Sequence, residues 1–302
     1  MRLFFIILIV ILQIMLFVLP KTALKKFSSQ SLDQTRVSES FPKLLPQPQI
    51  VQDQQKVGQI SAKSAIVTDF QTGISLYEKN ADLRLLPASI TKLMTAQIGQ
   101  ENCAPDKVIK IENIIGDGTQ MGLTLGDVVT FKDLLYGMLV SSGNDAAYAV
   151  ATSCSNSYDQ FIIAMNQKAQ DLGMKNTRFA NPAGFDSDNQ YSTARDLAKL
   201  AKVVVANPLI SKIVSTQSIV LTDVSGNKTY YLENINKLLG KVEGVEGVKT
   251  GQTEGALENL VTKTTRGGNT ILVTVLGSND RFEDTRKLIE WAFANHKWVY
   301  PN

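Results

Sequence analysis

The apolar positions of this chain change their pattern five times, and each change marks a different piece of structure. Leu3 to Leu19 is apolar apart from Gln13, follows Arg2 and is closed by Pro20, the profile of a secretory signal or a short membrane anchor. No small-x-small cleavage site precedes Lys21, so an uncleaved anchor over residues 1–20 is expected. Lys21, Lys25 and Lys26 follow the run, against the usual positive-inside bias, so outward placement of the rest of the chain rests on its chemistry. Residues 21–57 hold no sustained apolar period and are rich in Ser, Gln, Pro and Lys, which predicts a flexible spacer. The folded domain is then expected over residues 58–302.

Within that domain Ala65 to Phe70 and Ile74 to Tyr77 read as two strands of a hairpin about Gly73. A largely helical middle follows. Thr130 and Asp133 form a capping box ahead of Leu134, Leu135, Met138 and Leu139. Phe161, Ile162, Met165, Ala169 and Leu172 make a second helical stripe that Gly173 stops. Strands return at Ser218–Thr222, Thr229–Leu232, Val245–Thr250, Leu260–Thr264 and Thr270–Leu276, with Gly267-Gly268 as a hairpin turn, before a last helix from Arg281 to Ala294. Strands at both ends around a helical insertion predict an α+β fold: one antiparallel sheet built from the two chain ends, helices on its faces, and a helical lobe. The cleft between sheet and lobe is the expected site.

Charge and composition remove several function classes. Lys plus Arg number 31 against 28 acidic residues, a net +3 that gives no reason to expect a nucleic-acid partner. His296 is the one histidine, expected at the surface, so a multi-histidine zinc site is excluded and a Ser-His-Asp triad would have to use that residue. No metal or organic cofactor is expected. Cys103 and Cys154 are the only cysteines; in an exported chain they form one disulfide or stay as two buried thiols, and spacing alone leaves both open.

Three short motifs carry the candidate chemistry. Ser89-Ile90-Thr91-Lys92 follows Pro87 at a predicted helix start, where a serine and a lysine three positions apart share one face. A lysine kept neutral by burial, a helix N-terminus and a second cation takes the serine proton without any histidine. Ser40-Phe41-Pro42-Lys43 and Ser225-Gly226-Asn227-Lys228 repeat the spacing but lie in the spacer and in a turn. Ser142-Gly143-Asn144 falls between a helix ending at Val140 and one beginning at Asp145, with Ser187-Asp188-Asn189 and Ser225-Gly226-Asn227 as competitors outside that context. Lys249-Thr250-Gly251 sits on a strand, where an extended substrate can pair with the backbone and glycine permits its approach.

Taken in this order the three motifs match the signature of class A β-lactamases and penicillin-binding proteins. With Pro87-Ala88-Ser89-Ile90-Thr91-Lys92, Ser141-Ser142-Gly143-Asn144-Asp145-Ala146-Ala147 and Gly247-Val248-Lys249-Thr250-Gly251, residues 58–296 resemble the D-alanyl-D-alanine carboxypeptidases, the low-molecular-mass penicillin-binding proteins of the S11 peptidase family. The resemblance implies a β-lactamase/transpeptidase-like fold, and it implies a role for each motif residue. Ser89 would be the acylated nucleophile, Lys92 its base, Ser142 and Asn144 a proton-relay and substrate-orienting pair, Lys249 an electrostatic partner, and Thr250 and Arg281 the binders of a terminal carboxylate. Backbone N–H groups of Ser89 and Gln252 beside Gly251 would form an oxyanion hole. It further implies peptidoglycan stem peptides as substrates, β-lactams as covalent inhibitors, and a place at the outer face of the cytoplasmic membrane, tethered through the N-terminal segment.

Two departures stand out. Ala183 replaces a histidine that many relatives carry, and the chain ends directly after the catalytic domain, with the N-terminal segment as the expected tether. A class A β-lactamase would need a deacylating glutamate that residues 181–192 lack. A D,D-endopeptidase and a non-catalytic peptidoglycan-binding or β-lactam-sensing module are the remaining alternatives.

Overall fold

The structure, a computed structural model, describes residues 45–51, 56–115 and 117–301, all in one unit, Leu45–Asn302. The apolar N-terminal run lies outside the described residues, and no described helix is long and apolar enough to cross a membrane. In chain order come strands Gln47–Ile50 (β1), Ser64–Asp69 (β2) and Ser75–Lys79 (β3), then a 3-10 turn at Ala88–Thr91 that runs into helix Lys92–Asn102 (α1). Strands Val108–Lys110 (β4) and Val128–Thr130 (β5) precede helices Phe131–Leu139 (α2), Asn144–Ser153 (α3), Tyr158–Asp171 (α4), Ala194–Val204 (α5) and Pro208–Val214 (α6). Strands Ser218–Thr222 (β6), Thr229–Glu233 (β7), Val245–Thr253 (β8), Leu257–Arg266 (β9) and Asn269–Ser278 (β10) follow, then helix Arg281–Asn295 (α7) and strand His296–Val299 (β11).

The main sheet is antiparallel, in the order β3-β2-β10-β9-β8, so strands from both ends of the chain meet at β2 and β10, as the alternating segments predict. Both of its faces are covered. Ala65 and Val67 of β2 join Ile271, Val273 and Val275 against Leu288, Ile289 and Ala292 of α7. Ile66, Val261, Leu272 and Leu276 join the larger cluster that holds Leu93 and Met94 of α1 and Leu197 and Leu200 of α5. This double cover is why β2 is buried almost throughout instead of at every second residue. Each fully buried Leu, Ile or Val adds about 1.5–3 kcal/mol to that packing.

Local signals set the helix starts. The Thr130–Asp133 capping box is present, with Asp133 N donating to Thr130 Oγ1 at 3.2 Å and Thr130 N donating to Asp133 Oδ2 at 2.9 Å. Gly173 takes φ +64 just past α4, the left-handed stop that its position predicts. The strands of the C-terminal half are longer than the apolar runs that announced them. Strand β8 extends to Thr253, beyond the Lys-Thr-Gly triplet, because β9 continues to pair with it as far as the Thr253–Leu257 position.

Two expectations are corrected. Within the stretch read as spacer, Gln47–Ile50 forms β1 and pairs antiparallel with β11, so backbone partnership from the far end of the chain overrides a Pro- and Gln-rich local sequence. His296 is not at the surface: it is buried, its Nδ1 lies 3.0 Å from the Ala292 carbonyl, and its ring meets the edge of Trp291. The question of the cysteines is also resolved. Cys103 and Cys154 form a disulfide with Cα atoms 5.6 Å apart, closing a loop of separation 51. Chain-entropy reasoning gives such a crosslink about 4 kcal/mol of stabilisation.

Candidate active site

The edge strand β8 faces the helical lobe, and the motif residues meet along that line. Ala88 takes φ +48, so the chain turns sharply before Ser89. Ile90 N donates to Pro87 O at 3.2 Å, the tighter bonding of a 3-10 turn. The α-helix therefore begins at Lys92 and not at Ser89, which corrects the sequence expectation. The tighter turn serves the same end, because it eclipses side chains three apart and brings Ser89 over Lys92. Two other backbones press on this turn. A Cβ at Gly184, itself at φ +93, would lie 1.9 Å from the Ala88 carbonyl oxygen, and one at Gly251 would lie 3.0 Å from Ser89 N. No side chain fits at Gly184.

Lys92 is 0% exposed, and its Nζ sits 2.7 Å from Ser89 Oγ, 2.7 Å from Asn144 Oδ1 and 2.8 Å from the Ala183 carbonyl oxygen. A neutral amine has two N–H donors and one lone pair. Donating to Asn144 and Ala183 leaves the lone pair to accept the Ser89 hydroxyl proton. Burial pushes the Lys92 pKa well below the ordinary lysine value and the nearby Lys249 charge pushes the same way, with Asp145 opposing.

Asn144 opens α3, and its Nδ2 donates to the Asp117 carbonyl at 2.8 Å, which fixes the amide so that Oδ1 faces Lys92. Asp145 beside it accepts from the backbone N–H groups of Met121, Gly122 and Leu123, each at 2.9 Å, and so ties that loop to the start of α3. Ser142 lies at φ +63 in the link between α2 and α3, a left-handed conformation that a non-glycine residue holds at a cost of about 1–3 kcal/mol. Its hydroxyl accepts from Lys249 Nζ at 2.9 Å. Lys249 is buried as well and also donates to its neighbour's carbonyl, Thr250 O, at 2.9 Å. Burial first, and the Arg281 guanidinium second, lower its pKa to about 7.

Arg281 opens α7 but is only 6% exposed. Its Nη1 donates to the Gly251 carbonyl at 2.8 Å, while its buried Nε has no partner among the described residues. It borders a cleft of about 280 Å³ whose other lining residues are Ser89, Thr119, Ser142, Ile235, Thr250, Gly251 and Gln252. The structure thus brings every candidate site residue to one place, Lys92, Asn144 and Lys249 beneath its floor. The competitors stand apart from it. Ser225 donates to Asp223 in the turn between β6 and β7, Ser187 is half-buried and accepts from Asn189 N at 3.3 Å, and Ser40 lies outside the described residues.

Sequence reasoning missed three contributors. Thr119 and Ile235 reach the cleft from loops without any motif. Ala183 contributes its backbone carbonyl to Lys92, a contact that does not depend on the side chain at that position. The loop that carries it is held by Asn181, whose Oδ1 accepts from Gly184 N at 2.7 Å and Phe185 N at 3.0 Å. Together these groups can deprotonate a serine, hold a developing oxyanion beside β8, and attract a carboxylate to Thr250 and Arg281.

Comparison with known proteins agrees with that chemistry. The D-alanyl-D-alanine carboxypeptidase family model of S11 peptidases matches residues 49–280. The chain is 36% identical over 246 residues to the D-alanyl-D-alanine carboxypeptidase DacF of Bacillus subtilis, covering 78% of this chain and 63% of that protein. It therefore spans just under two thirds of that relative's length. A D-alanyl-D-alanine endopeptidase of Pseudomonas aeruginosa is 36% identical over 251 residues, covering 80% of this chain and 81% of that one. The crystal structure of the Streptomyces K15 DD-transpeptidase superposes with a TM-score of 0.74 at 33% identity, covering 80% of this chain and all of the other. The fold is thus that of the DD-transpeptidases, and with a family match over most of its length the chain belongs to the S11 D-alanyl-D-alanine carboxypeptidase family.

Proposed function

We infer that this protein is a serine D-Ala-D-Ala carboxypeptidase that removes the terminal D-alanine from peptidoglycan stem pentapeptides through an acyl-enzyme. The observation that carries the reading is the environment of Lys92: fully buried, close to a second lysine, and in contact with Ser89 Oγ at 2.7 Å. In this reading Lys92 Nζ takes the Ser89 proton while Oγ attacks the carbonyl carbon of the penultimate D-alanine. The carbonyl oxygen gains the negative charge and is held by the backbone N–H groups of Ser89 and Gln252. Collapse breaks the C–N bond, and D-alanine leaves with a proton delivered through Ser142, whose hydroxyl is in contact with Lys249. The proton relayed to D-alanine is the one Lys92 took, so Lys92, neutral again, deprotonates a water that attacks the ester, and that proton passes to Ser89 Oγ as the shortened peptide leaves with a free carboxylate.

Lys249 and Arg281 make one end of the cleft positive for the terminal carboxylate, Thr250 offers it a hydroxyl donor, and β8 offers an edge to the extended peptide. A β-lactam enters the same path, but its amine leaving group stays tethered, so its acyl-enzyme persists. The Leu3–Leu19 run supports export with the segment retained as an anchor, and the peptidoglycan chemistry of the site supports a place for the domain on the outer face of the cytoplasmic membrane.

The similarity to a protein named an endopeptidase favours one alternative substrate, a crosslinked peptide dimer. Full-length protein is expected to release free D-alanine from a synthetic peptide ending in D-Ala-D-Ala much faster than it cuts a crosslinked muropeptide dimer, as measured by chromatography of both digests. Cleavage of the dimer without D-alanine release would replace carboxypeptidase by endopeptidase. Activity on neither would leave a binding module.

A further inference from the structure

Lys92 and Asn144, 2.7 Å apart across the site, each stand at the first position of a helix, and Cys103 and Cys154 are the residues that close those same two helices. Helices α1 and α3 therefore run side by side and parallel, each about 16 Å long. They touch at three levels. At the site end Lys92 donates to Asn144 Oδ1. Midway Gly99 lets them close up, since a Cβ there would lie 2.8 Å from Val150 Cγ1 and 2.9 Å from the Phe131 ring. At the far end stands the disulfide, with both cysteines buried.

Parallel neighbours place like helix ends together, an arrangement that their dipoles oppose. Its effect at the site is useful, because two positive N-terminal ends converge where a lysine has to stay neutral. A covalent tie at the opposite ends sets the register of the pair, and register decides whether Asn144 Oδ1 reaches Lys92. We propose that the Cys103–Cys154 disulfide is a positioning element of the active site: it holds α1 and α3 in the register that seats Lys92 against Asn144 and Ser89. The role rests on the reading of Lys92 as the base that activates Ser89.

The groups facing Lys92 define what loosening would change. Lys249 on β8 and Asp145 on α3 are the charged groups that act on it, and Arg281 on α7 acts on Lys249. If α1 slides relative to α3, water reaches Lys92 and its pKa rises toward the ordinary lysine value, so a smaller fraction is neutral at neutral pH. A rise of one unit removes about 90% of the neutral form wherever the pH lies below the pKa.

The test follows acylation of full-length protein by a fluorescent penicillin from acid to alkaline pH. Three forms are compared: oxidised wild type, wild type reduced and then reoxidised, and the Cys103→Ala/Cys154→Ala double variant, with thiol counting to fix the redox state. Without the disulfide, the acid limb of the profile is expected to move up by about one unit, so that acylation falls about tenfold at any pH on that limb. The curves are expected to converge at alkaline pH, and reoxidation should restore the original profile. A purely structural crosslink would lower the rate by one factor at every pH, through the folded fraction. That uniform loss, or an unchanged profile, overturns the proposal. Should the double variant not fold, wild type assayed while still reduced decides, because it loses only the crosslink and keeps both side chains; a shifted acid limb supports the role and an unshifted one refutes it. Oxidised wild type that is never acylated would instead refute the acyl-enzyme reading, and the positioning role with it.

Discussion

Ser89→Ala is expected to reduce D-alanine release by about 10⁴-fold or more and to leave no covalent adduct with any β-lactam. The loss is this large because nothing else in the cleft replaces the nucleophile. Thr119 and Thr250 line the cleft, but neither hydroxyl is the one in contact with Lys92 Nζ. The substitution removes one oxygen from a half-buried residue of the cleft wall, so the 3-10 turn and its packing against Gly251 and Gly184 are expected to survive and the variant to bind substrate still. Turnover measured beside circular dichroism separates lost chemistry from lost fold. Ser187→Ala and Ser225→Ala, remote from the cleft, are expected to keep wild-type rates.

Lys92→Ala is the second large effect. Acylation is expected to slow by about 100-fold or more, the scale general-base catalysis contributes. The pH dependence gives a sharper test than the magnitude. As the proposed base Lys92 acts only when neutral, so wild-type acylation is expected to rise with pH through its depressed pKa and to fall away below it. As the proposed partner of a carboxylate substrate Lys249 acts only when charged, and with burial and Arg281 lowering its pKa to about 7 the free enzyme is expected to lose that charge as pH rises past neutrality. kcat/KM for a D-Ala-D-Ala peptide is therefore expected to be bell-shaped, with the acid limb assigned to Lys92 and the alkaline limb to Lys249. In Lys92→Ala the acid limb should vanish while the alkaline limb remains. An acid limb that persists unchanged in the variant would assign it to another group.

How much of this was readable in the chain depends on whether the determining contacts are local. The β2–β3 hairpin, the Thr130–Asp133 cap and the stop at Gly173 follow from neighbours within a few residues, and the sequence pattern locates them. The three motifs were legible for a related reason: Ser89 and Lys92 need only one turn between them, and Lys249, Thr250 and Gly251 are consecutive on one strand. Strand β1 was not legible, because four residues including a proline become a strand only through β11, which enters at the other end of the chain. Three-residue β4 and β5 are too short to show a period. His296 gives no local sign that Ala292 and Trp291 will enclose it. The third partner of Lys92 is a backbone carbonyl, which any residue possesses, so no choice of side chain at Ala183 announces it. The departure at Ser89 is of another kind. Proline followed by good helix formers marks a helix start, but the left-handed Ala88 is imposed by the backbones of Gly184 and Gly251 pressing on the turn.

The most direct measurement is to incubate full-length protein with benzylpenicillin, digest it, and locate the covalent adduct by mass spectrometry. The expected result is a single adduct, carrying the mass of the intact antibiotic, on the peptide that contains Ser89, and none in Ser89→Ala. An adduct on any other serine, or D-alanine release that survives in Ser89→Ala, would contradict the assignment of this cleft as the seat of a serine acyl-enzyme.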